Sequence, residues 1–187
     1  MQDNIILKYG LTLFLITAIS VGVVSAGHNV TAPIIEQQQM EKDNAARKAI
    51  LPDAADFEKM EIELPEGVIE VYEGKGSDGN TIGYAIKTGT KGYGGEVPVT
   101  TGISTDGKIN GIALGTLSET PGLGARAAEE AFYGQFAGKE AQEIKVKKNG
   151  TPADDEIIAI SGATITSTAV TKGVDTAIEL YNNSLKK

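Results

Sequence analysis

Ala159–Ile160–Ser161–Gly162–Ala163–Thr164–Ile165–Thr166–Ser167 is the stretch on which the reading of this chain turns. A short apolar strand breaks at Gly162 into small hydroxyl residues. An amphipathic pattern follows directly, with Val170, Val174, Ile178, Tyr181 and Leu185 along one stripe. This order puts the hydroxyls at a helix N-terminus, among unpaired backbone N–H groups and the positive end of the helix dipole. A phosphate is stabilised in such a place. The motif therefore reads as a phosphate-holding site, with Thr164 able to carry the group covalently and Ser161, Gly162, Ala163 and Thr166 around it. As plain structure, the same residues make a tight strand-to-helix turn. Gly162 then supplies an unusual backbone angle and Thr166 or Ser167 caps the helix.

Working outward, the last helix is predicted over about Thr168–Leu185, and strands over Glu143–Lys147 and Glu156–Ile160 around Asn149–Gly150. Two hairpins are legible before them. Val68–Glu73 and Thr81–Lys87 flank Asp78–Gly79, and Val97–Ser104 and Lys108–Leu117 flank Asp106–Gly107. A Gly/Pro loop, Glu119–Thr120–Pro121–Gly122–Leu123–Gly124, leads into a helix expected over Ala125–Phe136. The sum is one α+β domain with a largely antiparallel sheet and flanking helices, expected over residues 53–187.

Tyr9 to Gly27 holds no charged residue. At ~1.5 Å per residue it reaches roughly 28 Å, enough to span a bilayer core of ~30 Å. An uncleaved anchor is the favoured reading over a signal peptide ending at Val24–Ser25–Ala26. Residues 1–8 are then cytoplasmic, 9–27 contact membrane lipid, and the globular domain lies on the extracytoplasmic side of the cell membrane. Residues 28–52 read as a stalk helix and linker, with Thr31 capping it and Pro33 in its first turn.

Composition removes many functions. The 187 residues include no Cys, no Trp and one His, His28, beside the apolar block. Thiolate metal sites, cysteine-held clusters and Ser–His or Cys–His catalysis are excluded from the globular part. The net charge of −8 disfavours nucleic acid, which needs clustered Lys and Arg. What remains suits a domain that carries a cofactor.

Other constellations have a plain and a functional reading each. Thr120 and Leu123, separated by a turn at Pro121–Gly122, could grip a flat ring while glycine amides bond its edge; otherwise the segment is a loop. Lys91–Gly92–Tyr93–Gly94–Gly95 lacks a P-loop ending and leads into a strand, with Tyr93 packing or covering a site. Lys145 and Lys147 alternate onto one strand face, as a solvated face or as contacts to an anionic ligand. Asp154–Asp155–Glu156 reads as solvated loop, without metal-ligand spacing.

Together these pieces resemble the FMN-binding domain of the G subunit of the Rnf-type ion-translocating electron transport complex. The resemblance rests on the N-terminal anchor, Thr31–Ala32–Pro33, Gly92–Tyr93–Gly94–Gly95, the Asp106–Gly107–Lys108 hairpin, Glu119–Thr120–Pro121–Gly122–Leu123–Gly124 and Ser161–Gly162–Ala163–Thr164. It implies FMN joined through a phosphoester to Thr164 by a separate flavin transferase, with the ring between Thr120 and Leu123 and its edge near Gly122. In the sister family a lysine upstream of the attachment motif contacts flavin, which points to Lys145 or Lys147. The implied role is electron relay within a complex linking ferredoxin and NAD to ion transport, beside other integral and peripheral subunits. Neither a dinucleotide fingerprint nor cluster ligands are present, so NAD and ferredoxin would bind elsewhere. The C subunit of the sodium-translocating NADH:quinone reductase shares both longer motifs and is the alternative. The usual aspartate three residues before the Ser of the attachment motif is Ile158 here, which favours a further alternative, a membrane-tethered binding or scaffold module without flavin.

Overall fold

One helix, α1, runs unbroken from Asp3 to Ile50 in a computed structural model that describes residues 3–186. Met1 and Gln2, part of the expected cytoplasmic N-terminus, and Lys187 lie outside the described residues. Leu7–Ile50 contains a window of mean hydropathy 2.0, long and apolar enough to cross a membrane. Its large apolar side chains, among them Leu11, Phe14, Ile16 and Val21, are exposed. No new helix starts at Thr31. Its hydroxyl donates instead to the carbonyls of Gly27 (3.0 Å) and His28 (3.3 Å), inside a helix that continues past Pro33. Pro33 removes a single N–H from the ladder, and the turns on either side carry the helix through.

The chain forms two compact units, dividing after Lys42. In the second, five antiparallel strands follow in sequence order: β1 (Asp56–Lys59), β2 (Val68–Lys75), β3 (Thr81–Lys91), β4 (Glu96–Ser104) and β5 (Ile109–Leu114). Both predicted hairpins are present, and Gly79 and Gly107 take the positive φ their turns require. Edge strand β1 is the addition, a short segment that buries little and so carries no apolar alternation.

Alternation gives the sheet two covered faces. On one, Ile86, Val97, Val99 and Ile103 join a core with Val170, Val174, Ala177 and Tyr181 of the C-terminal helix. Thr88 and Thr90 bond the carbonyls of Gly173 (3.1 Å) and Ala169 (2.7 Å) in that helix. On the other face, Ile50, Leu51 and Ala54 pack against Ala85. Glycines make room there: a Cβ on Gly102 would stand 3.0 Å from the Cβ and carbonyl oxygen of Ile50, and one on Gly83 would stand 3.0 Å from Leu51. Lys87 reaches Asp43 at 2.6 Å, and the Arg47 guanidinium lies 3.7 Å over the Tyr72 ring.

Three further sequence expectations, the 125–136 helix, the solvated acidic run and the start of the last helix, need correction. The helix expected over Ala125–Phe136 is broken into a 3₁₀ turn (Gly124–Ala128), the short α2 (Glu130–Tyr133) and a second 3₁₀ turn (Gly134–Phe136). In an unbroken helix Ala127 would point about 140° away from Phe132. The extended backbone at Glu129 turns both inward, where Phe132 meets Phe136 edge-on at 5.9 Å. The strands β6 (Lys145–Lys147) and β7 (Glu156–Ile158) pair in parallel, the intervening loop carrying the chain back to start β7 beside β6. The acidic run is not free in solvent, since Asp155 pairs with Lys145 and Glu156 with Lys147, both at 2.9 Å. Finally, α3 begins at Thr164, not Thr168, and runs to Leu180 before a wide turn, Tyr181–Leu185. Thr166 and Ser167 therefore lie inside its first turn and cap nothing. Ser167 instead accepts the Ile160 N–H (2.9 Å) and donates to Ala163 (3.0 Å), tying strand end to helix start.

Candidate functional site

Two turns of the same type build the site. In Thr120–Pro121–Gly122–Leu123 the Leu123 N–H donates to Thr120 (3.1 Å), with Gly122 at φ +78°. In Ile160–Ser161–Gly162–Ala163 the Ala163 N–H donates to Ile160 (2.9 Å), with Gly162 at φ +78°. Both are type II turns, whose third residue needs a positive φ and so favours glycine. They face each other closely, for a Cβ on Gly162 would lie 3.1 Å from the Leu123 side chain.

The second turn delivers the chain into α3. Its N-cap is Ala163, and among the described residues no side chain caps the helix. The first ladder bond runs from the Ser167 N–H to the Ala163 carbonyl at 3.0 Å, so the first-turn amides before it gain no partner from the capping position. Thr164 is exposed at this end. An anion placed there meets amide donors and the dipole together.

Between the turns and α3 lies a groove of about 610 Å³. It brings together Thr120, Leu123, Gly162, Ala163, Thr164 and Thr166, as the sequence suggested, and adds Tyr93, Glu119, Gly124 and Ile165. Gly122 shapes its turn without lining the groove. Ser161 faces a neighbouring hollow with Arg126, Gln135 and Ile158. Lys145 and Lys147 stay apart, paired with Asp155 and Glu156. The hydrogen bond to Asp155 holds the Lys145 ammonium above its usual range, and Lys145 in turn holds Asp155 below the usual carboxylate range.

Glu119 is the groove residue to which sequence reasoning gave no role. It is buried, at 7% exposure. Its Oε1 accepts the N–H groups of Tyr93 (2.9 Å) and Gly94 (3.2 Å), and its Oε2 accepts the Thr166 hydroxyl (3.0 Å). The available signal was its place at the head of a Pro/Gly loop in a sequence whose other glycine-rich loop lies some 25 residues upstream. That Thr166 is bound and buried explains why it does not cap.

Residues 92–179, which enclose every groove residue, match the FMN-binding domain family, and residues 1–50 match the RnfG N-terminal region. The chain belongs to the RnfG family. The G subunit of the Na(+)-translocating ferredoxin:NAD(+) oxidoreductase complex of Acetobacterium woodii is 44% identical, over 98% of this chain and 95% of that protein. The G subunit of the Clostridium ljungdahlii proton-translocating ferredoxin:NAD(+) oxidoreductase complex is 35% identical, over 84% and 81%. This RnfG chain also shares its fold with the C subunit of the Na(+)-translocating NADH-quinone reductase of Parabacteroides distasonis. That structure has 18% identity and a TM-score of 0.57, covering 79% of this chain and 94% of that one.

Proposed function

We propose that this RnfG chain is the membrane-anchored FMN subunit of an ion-translocating ferredoxin:NAD oxidoreductase complex and relays electrons within it. FMN supplies one- and two-electron chemistry, while the protein supplies tethering, orientation and electrostatics. The observation that carries the reading is Thr164, exposed at the uncapped end of α3 and on the wall of the groove. Its hydroxyl would hold the FMN phosphate as a phosphoester, installed by a flavin transferase, with first-turn amides around the phosphate oxygens. Gly162 keeps side-chain bulk away from that point, and Thr120 and Leu123 would flank the ring. The apolar stretch of α1 over residues 9–27 would lie in lipid, with the domain on the extracytoplasmic side. Anchoring confines the flavin near partner subunits and raises its effective concentration there.

The scaffold reading rests on Ile158. Its N–H donates to the Gln135 side chain (2.7 Å), which donates back to the Ile158 carbonyl (3.2 Å). Main-chain bonds thus fix the backbone three residues before the Ser161 turn, whatever the side chain. One experiment decides between the two readings. The full chain is expressed with a flavin transferase, denatured and viewed for flavin fluorescence on a gel, beside Thr164→Ala. A fluorescent wild-type band and a dark variant are expected. A dark wild-type band overturns the flavoprotein reading, and a fluorescent variant moves the attachment elsewhere.

A further inference from the structure

Three segments far apart in sequence meet on one buried carboxylate. Tyr93 and Gly94 belong to the turn between β3 and β4, Glu119 to the loop after β5, and Thr166 to the first turn of α3. Each forms part of the groove or its rim. Three donors on two oxygens is the pattern that an acceptor-only, ionised carboxylate takes. Among the described residues, no Lys or Arg forms an ion pair with Glu119. Its charge is balanced by those donors and by the positive end of α3.

The surrounding glycines fit this arrangement. A Cβ on Gly124 would stand 2.5 Å from both Glu119 Oε2 and Thr166 Oγ1. One on Gly92 would run into Glu119 Oε1, and one on Gly94 into the Ser118 carbonyl. Gly92 and Gly124, one from each glycine-rich motif, therefore both leave room for the Glu119 side chain. Other bulk in this space would push the carboxylate off its donors.

We propose that Glu119 is the positioning residue of the groove, tying the 92–95 turn, its own loop and α3 into one wall and fixing a negative charge on it. The geometric part stands on the contacts alone. The electrostatic part rests on the FMN reading above: a ring held against this wall lies beside a fixed anion, which disfavours adding electrons to it.

The test uses the full chain in detergent micelles as wild type, Glu119→Ala and Glu119→Gln. In flavin-free protein, hydrogen exchange at the Tyr93 and Gly94 amides should be about tenfold faster in Glu119→Ala than in wild type. Glu119→Gln, which keeps an acceptor and the shape, should recover most of that protection. In flavin-loaded protein, Glu119→Gln should titrate at a higher midpoint potential than wild type. Equal exchange in wild type and Glu119→Ala, or equal potentials in wild type and Glu119→Gln, overturns the proposal. If Glu119→Ala does not fold, Glu119→Asp replaces it in the exchange limb, because the shorter side chain cannot span the same donors. A wild type that carries no flavin defeats the flavin reading, while the exchange limb still decides the role of Glu119.

Discussion

Asp175→Asn should stabilise the domain at neutral and higher pH and lose that advantage in acid. Asp175, on α3, accepts the Ile144 N–H at 2.9 Å where the chain enters β6. Burial pushes its pKa from 3.8 up to about 6; the Ile144 hydrogen bond opposes the rise and the nearby Glu143 charge adds to it. The folded value lies above the unfolded one, so the fold holds this proton more tightly than the unfolded chain does. Stability from this group is full below the unfolded pKa and is lost as pH rises through about 6. A shift of about 2 units corresponds to roughly 3 kcal/mol, and partial exposure of Asp175 reduces this to about 1.5 kcal/mol. The expected gain for Asp175→Asn at pH 8 is therefore about 3–6 °C in Tm for a unit of this size. Tyrosine fluorescence of the flavin-free full chain in micelles reads the transition, since the chain has no Trp and Tyr84 and Tyr181 are buried 6.1 Å apart in the core. Glu70, Asp78, Asp106, Asp155 and Glu156 are held below their usual values and lose their contributions only at lower pH. They are common to both proteins and cancel in the difference. A gap that stays constant from pH 8 to pH 4.5, or a variant less stable than wild type at pH 8, refutes the argument.

Other substitutions test the sheet faces. Gly102→Val should cost about 1–3 kcal/mol in a melt, because its Cβ already meets the Ile50 backbone and side chain at 3.0 Å. Thr90→Val should lose about 1 kcal/mol with the bond to Ala169, whereas Thr101→Val should be neutral or gain up to about 1 kcal/mol. Thr101 is fully buried, but its hydroxyl has no hydrogen-bond partner among the described residues.

The hairpins were legible because alternation and Asp–Gly turns are local signals, and the resemblance to the RnfG family followed from an apolar helix and from motifs most of which are themselves turns. What escaped the sequence depends on distant neighbours. Thr166 looks like a cap until Glu119, 47 residues away, takes its hydroxyl. Ser167 looks like a cap until Ile160 claims it. Gly83 and Gly102 sit unremarked inside two predicted strands, yet they are where Leu51 and Ile50 approach the sheet. The broken helix at 124–136 was hidden for a similar reason: spacing alone could not show that Ala127 and Phe132 must face the same core.

The alanine at the cap of α3 links these observations. Ser, Thr, Asp or Asn at that position typically adds ~1 kcal/mol to a helix end, and Ala163 forgoes it. The candidates nearest to hand, Thr166 and Ser167, are turned to other work, and the Glu119 carboxylate meets α3 through the Thr166 hydroxyl. The first-turn amides are thus left without a capping side chain at the point where Thr164 is exposed. A helix end buried without partners would be a defect. One opening onto a groove, between two type II turns that hold side-chain bulk back, has the features of an anion site made almost wholly from main chain. Under the function proposed above, that is how a chain with no cysteine, no tryptophan and a single histidine outside the domain would carry a cofactor.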